Sequence, residues 1–125
     1  MGLFSAFTGN ASEASAERLE KLLGELLAPG ERIEKGFQLV RDAIVFTDRR
    51  LILVDRQGVT GSKAEVLSIP YSKVTKFARE SAGLFDIDAE LKIWVGSDPE
   101  PIRQQFSRTV NINEVYAILS THVLG

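Results

Sequence analysis

The chain has 125 residues, with 15 Lys and Arg against 17 Asp and Glu for a formal charge of −2, one His and no Cys. That length suits a single domain able to bury roughly two-thirds of the surface its unfolded form exposes. The near balance of charge argues against a dedicated nucleic-acid binder or a polybasic membrane-surface protein, and the absence of Cys excludes disulfides, thiolate metal sites and cysteine nucleophiles.

The opening MGLFSAFTGN lacks the basic start and continuous apolar run of a secretion signal, and Ala6 stands where a myristoylation motif needs Ser or Thr. A cytoplasmic protein is expected. Asn10 and Glu13 have capping-box spacing, and Leu19, Leu22, Leu23, Leu26 and Leu27 then recur on one helical face, which predicts an amphipathic helix over about 11–27. Leu3, Phe4 and Phe7 ahead of it are too apolar for a free tail and are expected to dock. Ala28-Pro29-Gly30 ends the helix, because proline cannot continue the hydrogen-bond ladder and glycine opens a turn. On this reading 1–30 is an N-terminal helical extension and 31–125 the domain proper.

From Arg32 the period changes to that of strands. Ile33, Phe37 and Leu39 alternate with Glu34 and Gln38. Ala43–Thr47 and Arg50–Asp55 follow as short strands separated by tight turns, and Ala64–Ile69 gives a fourth strand ending at Pro70. Val74–Glu80 is a fifth. Ile87, Ala89, Leu91, Ile93 and Val95 alternate strictly with polar residues and Trp94, which marks a half-buried sixth. Ile102–Phe106 makes a seventh. Asn111 with Glu114 caps a closing helix whose Ile112, Val115, Tyr116, Leu119 and Val123 share a face. The fold class is mainly β: an antiparallel sheet bent into a partly open barrel, with the helix plugging one end.

Two strands are apolar on both faces. Ala43-Ile44-Val45-Phe46 and Leu51-Ile52-Leu53-Val54 lack polar alternation, so the outer face of the sheet needs a cover, either the N-terminal helix or a neighbouring subunit. Charge is segregated as well. Residues 41–79 hold eight bases and four acids, a balance of +4, whereas 80–100 hold six acids and only Lys92, a balance of −5. The two stretches could meet head to tail between subunits, and such heterologous contacts close into rings, or they could cancel across neighbouring strands of one subunit.

Few residues suggest chemistry. His122 is the only histidine, near the end of the last helix, and no nucleophile-elbow pattern accompanies it. A solvated or dipole-favoured residue is the simpler reading. Asp86, Asp88 and Glu90 resemble metal ligands, but alternate residues of a strand lie about 7 Å apart on one face, and the glycine turn of a calcium loop is missing. They read as a solvated face or as a surface for a basic partner. No phosphate-cradling glycine loop is present, and no cofactor, metal or catalytic centre is expected.

Three stretches together carry a resemblance. Thr47-Asp48-Arg49-Arg50-Leu51-Ile52-Leu53-Val54-Asp55, then Leu67-Ser68-Ile69-Pro70-Tyr71, then Ala82-Gly83 through Phe85-Asp86 and Asp88-Ala89-Glu90-Leu91-Lys92-Ile93-Trp94-Val95, resemble the small single-domain bacterial pleckstrin-homology-like proteins. The resemblance implies a split seven-stranded barrel capped by the C-terminal helix, assembly into a cyclic homo-oligomer with a pentamer favoured, and a role in protein–protein interaction without enzymatic activity. Phosphoinositide-binding members gather several bases along the first hairpin. Here that hairpin offers only Lys35 and Arg41, with Glu34 and Asp42 beside them, and the usual tryptophan of the last helix is missing, since the only Trp is Trp94.

The expected function is therefore that of a non-enzymatic interaction module that forms a ring. Asp86, Asp88, Glu90 and Lys92 are its candidate partner surface, and Arg41, Arg49, Arg50 and Arg56 its candidate basic, subunit-contacting surface. The alternative is a weak anionic-lipid or headgroup binder at the membrane surface, using the same four arginines.

Overall fold

The structure is a computed structural model that describes residues 13–14, 19, 23–38, 42–57, 63–80, 89–106 and 110–125. All seven expected strands are among them: β2 (Ile33–Gln38), β3 (Ala43–Thr47), β4 (Arg50–Gln57), β5 (Lys63–Pro70), β6 (Val74–Glu80), β7 (Ala89–Val95) and β8 (Ile102–Phe106). A two-residue strand, β1 (Glu13–Ala14), precedes them and pairs with Phe37 and Gly36. The described strands form two antiparallel sheets, β1-β2-β3-β4-β5 and β6-β7-β8, which are not hydrogen-bonded to each other. The barrel is split, as the resemblance implied.

β1 corrects the predicted helix of 11–27. Helical conformation is found at Leu19 and Leu23, followed by a 3-10 turn at Gly24–Leu26. The leucine stripe begins only at Leu19, so residues 13 and 14 have no apolar face for a helix to bury, and they complete the edge of β2 instead. The tighter turn also rotates Leu26 off the stripe, leaving it 51% exposed. The docking expected of Leu3, Phe4 and Phe7 and the cap expected at Asn10 lie outside the described residues.

The first sheet is apolar on both faces, and each face has its own core. Ile44, Phe46, Leu51, Leu53 and Ile69 face the second sheet and the C-terminal helix, Ile112–Leu124, in a core that includes Leu91, Ile93, Phe106, Val115 and Leu119. Ala43, Val45, Ile52 and Val54 face the other way, onto Leu19 and Leu23 of the same chain, with Leu27 packed alongside. The cover that the sequence left undecided is supplied within the subunit.

One bulge arranges this. A register shift between Ile33 and Lys35 places an extra residue, Glu34, in β2. Because strand side chains alternate with period two, the insertion sends Ile33 to the outer core while Phe37 stays on the inner one. The sequence alternation placed Ile33 and Phe37 on one face; the bulge parts them.

A buried ion pair closes the junction between the N-terminal cover and the sheet. Pro29 and Gly30, the latter at φ 81°, form a turn closed by the Glu31 N–H donating to the Ala28 carbonyl at 2.9 Å. The positive φ is where glycine costs least. Glu31 points back into the junction, with its side chain only 1% exposed. The Arg50 guanidinium grips it with Nε donating to Oε2 and Nη2 to Oε1, both at 2.8 Å. Thr47 Oγ1 donates to Oε2 at 2.6 Å and the Ala28 N–H to Oε1 at 2.8 Å. Arg50 also donates to the Leu26 carbonyl and to Ser68 Oγ, so one side chain ties the cover, the turn, β4 and β5 together. Thr47 Oγ1 in turn accepts from the N–H groups of Arg49 and Arg50. Its carbonyl accepts from the buried Tyr71 hydroxyl at 2.6 Å.

Burial by itself would raise the Glu31 pKa, but the donors from Arg50, Thr47 and Ala28 outweigh it and lower the carboxyl from an ordinary 4.5 to about 2. A depressed folded-state pKa gives stability that is complete above the unfolded value and is lost as pH falls through the folded one. Chemical denaturation followed from pH 7 downward should show stability falling between about 4.5 and 2. Glu31→Gln should cost about 3 kcal/mol at pH 7 and remove that acid slope. Truncating the buried anchors, Leu19→Ala or Leu23→Ala, should each cost about 2–5 kcal/mol in the same assay, because each opens a cavity beneath the outer face.

Candidate functional site

Of the expected partner surface, Glu90 and Lys92 fall on the outer face of the second sheet, where their charges are already matched. Lys92 pairs with Glu80 at 3.0 Å and Glu90 with Arg103 at 3.2 Å, while Lys76 lies over the Trp94 ring at 4.7 Å from its centroid. For Glu90 and Lys92 this is cancellation across neighbouring strands of one subunit, the arrangement that antiparallel neighbours favour. Asp86 and Asp88 lie outside the described residues.

The four arginines of the expected basic surface do not share one fate. Arg50 is committed to Glu31, Leu26 and Ser68 as described above, so its guanidinium serves the fold. Arg49 is exposed. Arg56 lies on β4, and Arg41 falls outside the described residues. The residues that sequence reasoning passed over here are Glu31 and Thr47. Their signal was the Thr47-Asp48-Arg49-Arg50 run, whose hydroxyl and guanidinium need a buried acceptor, but the acceptor lies 16 residues before Thr47 in the chain.

His122 is neither solvated nor poised on a nucleophile. Its ring stacks on Tyr71, with centroids 4.2 Å apart and planes 5° from parallel, and its Nε2 lies 2.6 Å from Glu34 Oε1, the bulge carboxylate. Lys35 pairs with Glu114 beside it. These contacts fasten the last helix to β2 and to the connection between the sheets. Burial, and secondarily the Glu34 charge, hold the Tyr71 phenol well above the ordinary tyrosine range, so it remains a hydrogen-bond donor to Thr47.

A different place emerges from the split between the sheets. β5 ends one sheet and β8 the other, and between them runs a cleft of about 320 Å³ lined by Asp42, Leu53, Asp55, Glu65, Leu67, Ile102, Arg103 and Gln104, among others. Alternation explains its lining. Leu53 pairs in register with Leu67 and Asp55 with Glu65, so the apolar inner face of the first sheet turns acidic toward the end of β4. Asp55 and Glu65 are directly opposed like charges, an arrangement that costs stability unless a cation lies close. None of the ion pairs among the described residues includes either of them.

On the other wall, Ile102, Gln104 and Phe106 occupy the inward positions of β8, with Gln104 opposite Leu91. Gln104 is only 8% exposed, and its Oε1 is buried with no hydrogen-bond partner. Leaving such an acceptor unpaired costs roughly 1–3 kcal/mol, and a leucine of similar shape would avoid that cost. The signal was legible in Ile102-Arg103-Gln104-Gln105-Phe106, where a polar residue takes a core position of the alternation, but nothing local says which wall it faces. No group of three or more His, Asp or Glu among the described residues is placed to hold a metal ion.

No helix among the described residues is long and apolar enough to cross a membrane. The family model of the bacterial PH domain matches residues 2–123. The uncharacterised protein YjqA of Bacillus subtilis is 46% identical over 121 residues, covering 96% of this chain and 97% of its own. Among solved structures, a pleckstrin homology domain from Shewanella amazonensis is similar with a TM-score of 0.81 at 38% identity, over 89% of this chain and 100% of that one. A protein with a pleckstrin-homology domain from Shewanella loihica gives a TM-score of 0.81 at 35% identity, over 93% and 99%. With two orthodox antiparallel sheets, a capping helix and these likenesses running along nearly its whole length, the chain belongs to the bacterial PH domain family.

Proposed function

We propose that this bacterial PH domain is a non-enzymatic interaction module that self-associates head to tail into a cyclic ring and binds a protein partner. The observation that carries the reading is the character of β6. Among the described strands it ends the second sheet, and Lys73 just before it, Lys76 and Arg79 are all exposed along it. An edge strand offers unpaired backbone donors and acceptors to another chain, but a basic edge repels a copy of itself. Two-fold pairing of β6 with β6 is thus disfavoured. A contact with a different, acidic surface of the next copy is favoured, and contacts of that kind close into rings when the rotation permits. Exposed Asp98 and Glu100, in the turn between β7 and β8, belong to the acidic stretch that would meet it.

Binding of an anionic lipid headgroup is the weaker reading. Such a headgroup needs several converging donors, and Arg50, at the centre of the four arginines considered for it, is already held by Glu31.

Light scattering coupled to size exclusion should give an oligomer at tens of micromolar. The double variant Lys76→Glu/Arg79→Glu should shift it to monomer without changing its melting temperature by more than a few degrees. A monomeric native protein at that concentration overturns the ring. In flotation with phosphatidylserine vesicles at low salt, the native protein should stay with the unbound fraction, since electrostatic membrane attachment is strongest there.

A further inference from the structure

We infer that the cleft between β5 and β8 is a docking groove for an extended segment of a protein partner that carries a lysine or arginine. The inference rests on the reading of this chain as an interaction module and names the surface and the chemistry of what it binds.

Three independent features of the cleft converge on that occupant. The first is the edge of β5. It ends its sheet among the described strands, and Glu65, Val66, Leu67 and Ser68 along it are all exposed, with Val66 37% and Leu67 39% exposed. A row of unpaired backbone groups flanked by accessible apolar side chains is what an added strand needs: main-chain hydrogen bonds for affinity and pockets for alternate side chains for specificity.

Charge is the second. Asp55 and Glu65 face each other across β4 and β5. Arg103, the one base among the described residues of the lining, is already paired with Glu90. A cation placed between Asp55 and Glu65 relieves their repulsion, and the aliphatic stem of a lysine or arginine matches Leu53, Leu67 and Ile102 along the way.

The third is Gln104, more than nine-tenths buried in the opposite wall with Oε1 unpartnered. An ammonium or guanidinium supplies several N–H donors and no acceptor, which is the complement of two carboxylates and an orphan amide carbonyl. A carboxylate or phosphate ligand would instead be repelled by Asp55 and Glu65.

The cleft, of about 320 Å³, has room for the side chains of one extended stretch.

The test is a titration of the full-length protein, by fluorescence anisotropy at low salt, with a labelled eight-residue peptide alternating valine and lysine, and with its valine–glutamate counterpart. The lysine peptide should bind, weaken as salt rises, and shift the backbone amide resonances of Glu65, Leu67 and Gln104. The glutamate peptide should bind at least tenfold more weakly. Asp55→Asn/Glu65→Gln should weaken the lysine peptide by tenfold or more. Gln104→Leu should weaken it several-fold while leaving the melting temperature unchanged or higher, an outcome that a merely structural glutamine would not give.

Equal binding of the two peptides, no binding of the lysine peptide, or binding indifferent to the carboxylate variants overturns the inference. So does dissociation of the oligomer by Asp55→Asn/Glu65→Gln with no effect on peptide binding, which would assign the cleft to a second copy. A native protein that is monomeric yet binds the lysine peptide through these residues would remove the ring and leave the groove standing.

Discussion

The Glu31–Arg50 pair is the constraint on which the rest of the architecture depends. A carboxylate that is almost fully buried would be expelled from the interior unless its charge were matched and its lone pairs used. Here both conditions hold, with a two-point guanidinium grip, a threonine hydroxyl and a backbone N–H shared between the two oxygens. The pair fixes the path of the chain from the N-terminal cover into β2 and holds β4 and β5 through the same arginine. It has a directional role that hydrophobic contact cannot supply. Leu19 and Leu23 could slide over an apolar face, but a bidentate ion pair permits one position.

That fixed junction allows the first sheet to be used on both faces. Its outer face is sealed by the chain's own leucines and its inner face by the second sheet and the C-terminal helix. The helix is held by Tyr71, His122 and Glu34, a stack and a carboxylate contact made possible by the β2 bulge. With both faces of the first sheet covered, that sheet offers other molecules only its edges, beside the gap between the sheets and the outer face of the second sheet. In this chain the seam between β5 and β8 is acidic and holds a polar core residue at a cost to stability, while the β6 edge is basic.

The net charge of −2 understates this polarity. Part of the segregation seen along the chain is cancelled inside the second sheet, where Glu80, Lys92, Glu90 and Arg103 pair across strands. Among the described residues, what survives cancellation is more localised than the +4 and −5 stretches suggested, with Lys73, Lys76 and Arg79 along β6 and Asp55 and Glu65 between β4 and β5.

Strand number and placement were readable in the sequence because short-range physics sets them: period-two alternation, the Pro70 stop, the Gly30 turn and the Asn111 cap all act within a few residues, and each is found where expected. The closing helix was legible for the same reason. What alternation could not convey is where it breaks. The extra residue at Glu34 leaves no mark in composition, yet it parts Ile33 from Phe37 and delivers Glu34 to His122. The helix of 11–27 was overextended because capping spacing at Asn10 and Glu13 is a local signal, whereas a helix of that length is held by the leucines that pack, and those start at Leu19. Likewise the sequence showed that Arg50 is basic and that Gln104 interrupts an apolar pattern, and local rules go no further. Only the tertiary structure could bring Glu31 to Arg50 and set Gln104 across a cleft from Asp55 and Glu65, because those neighbours come from distant segments and their meeting depends on how two sheets pack, not on any spacing along the chain.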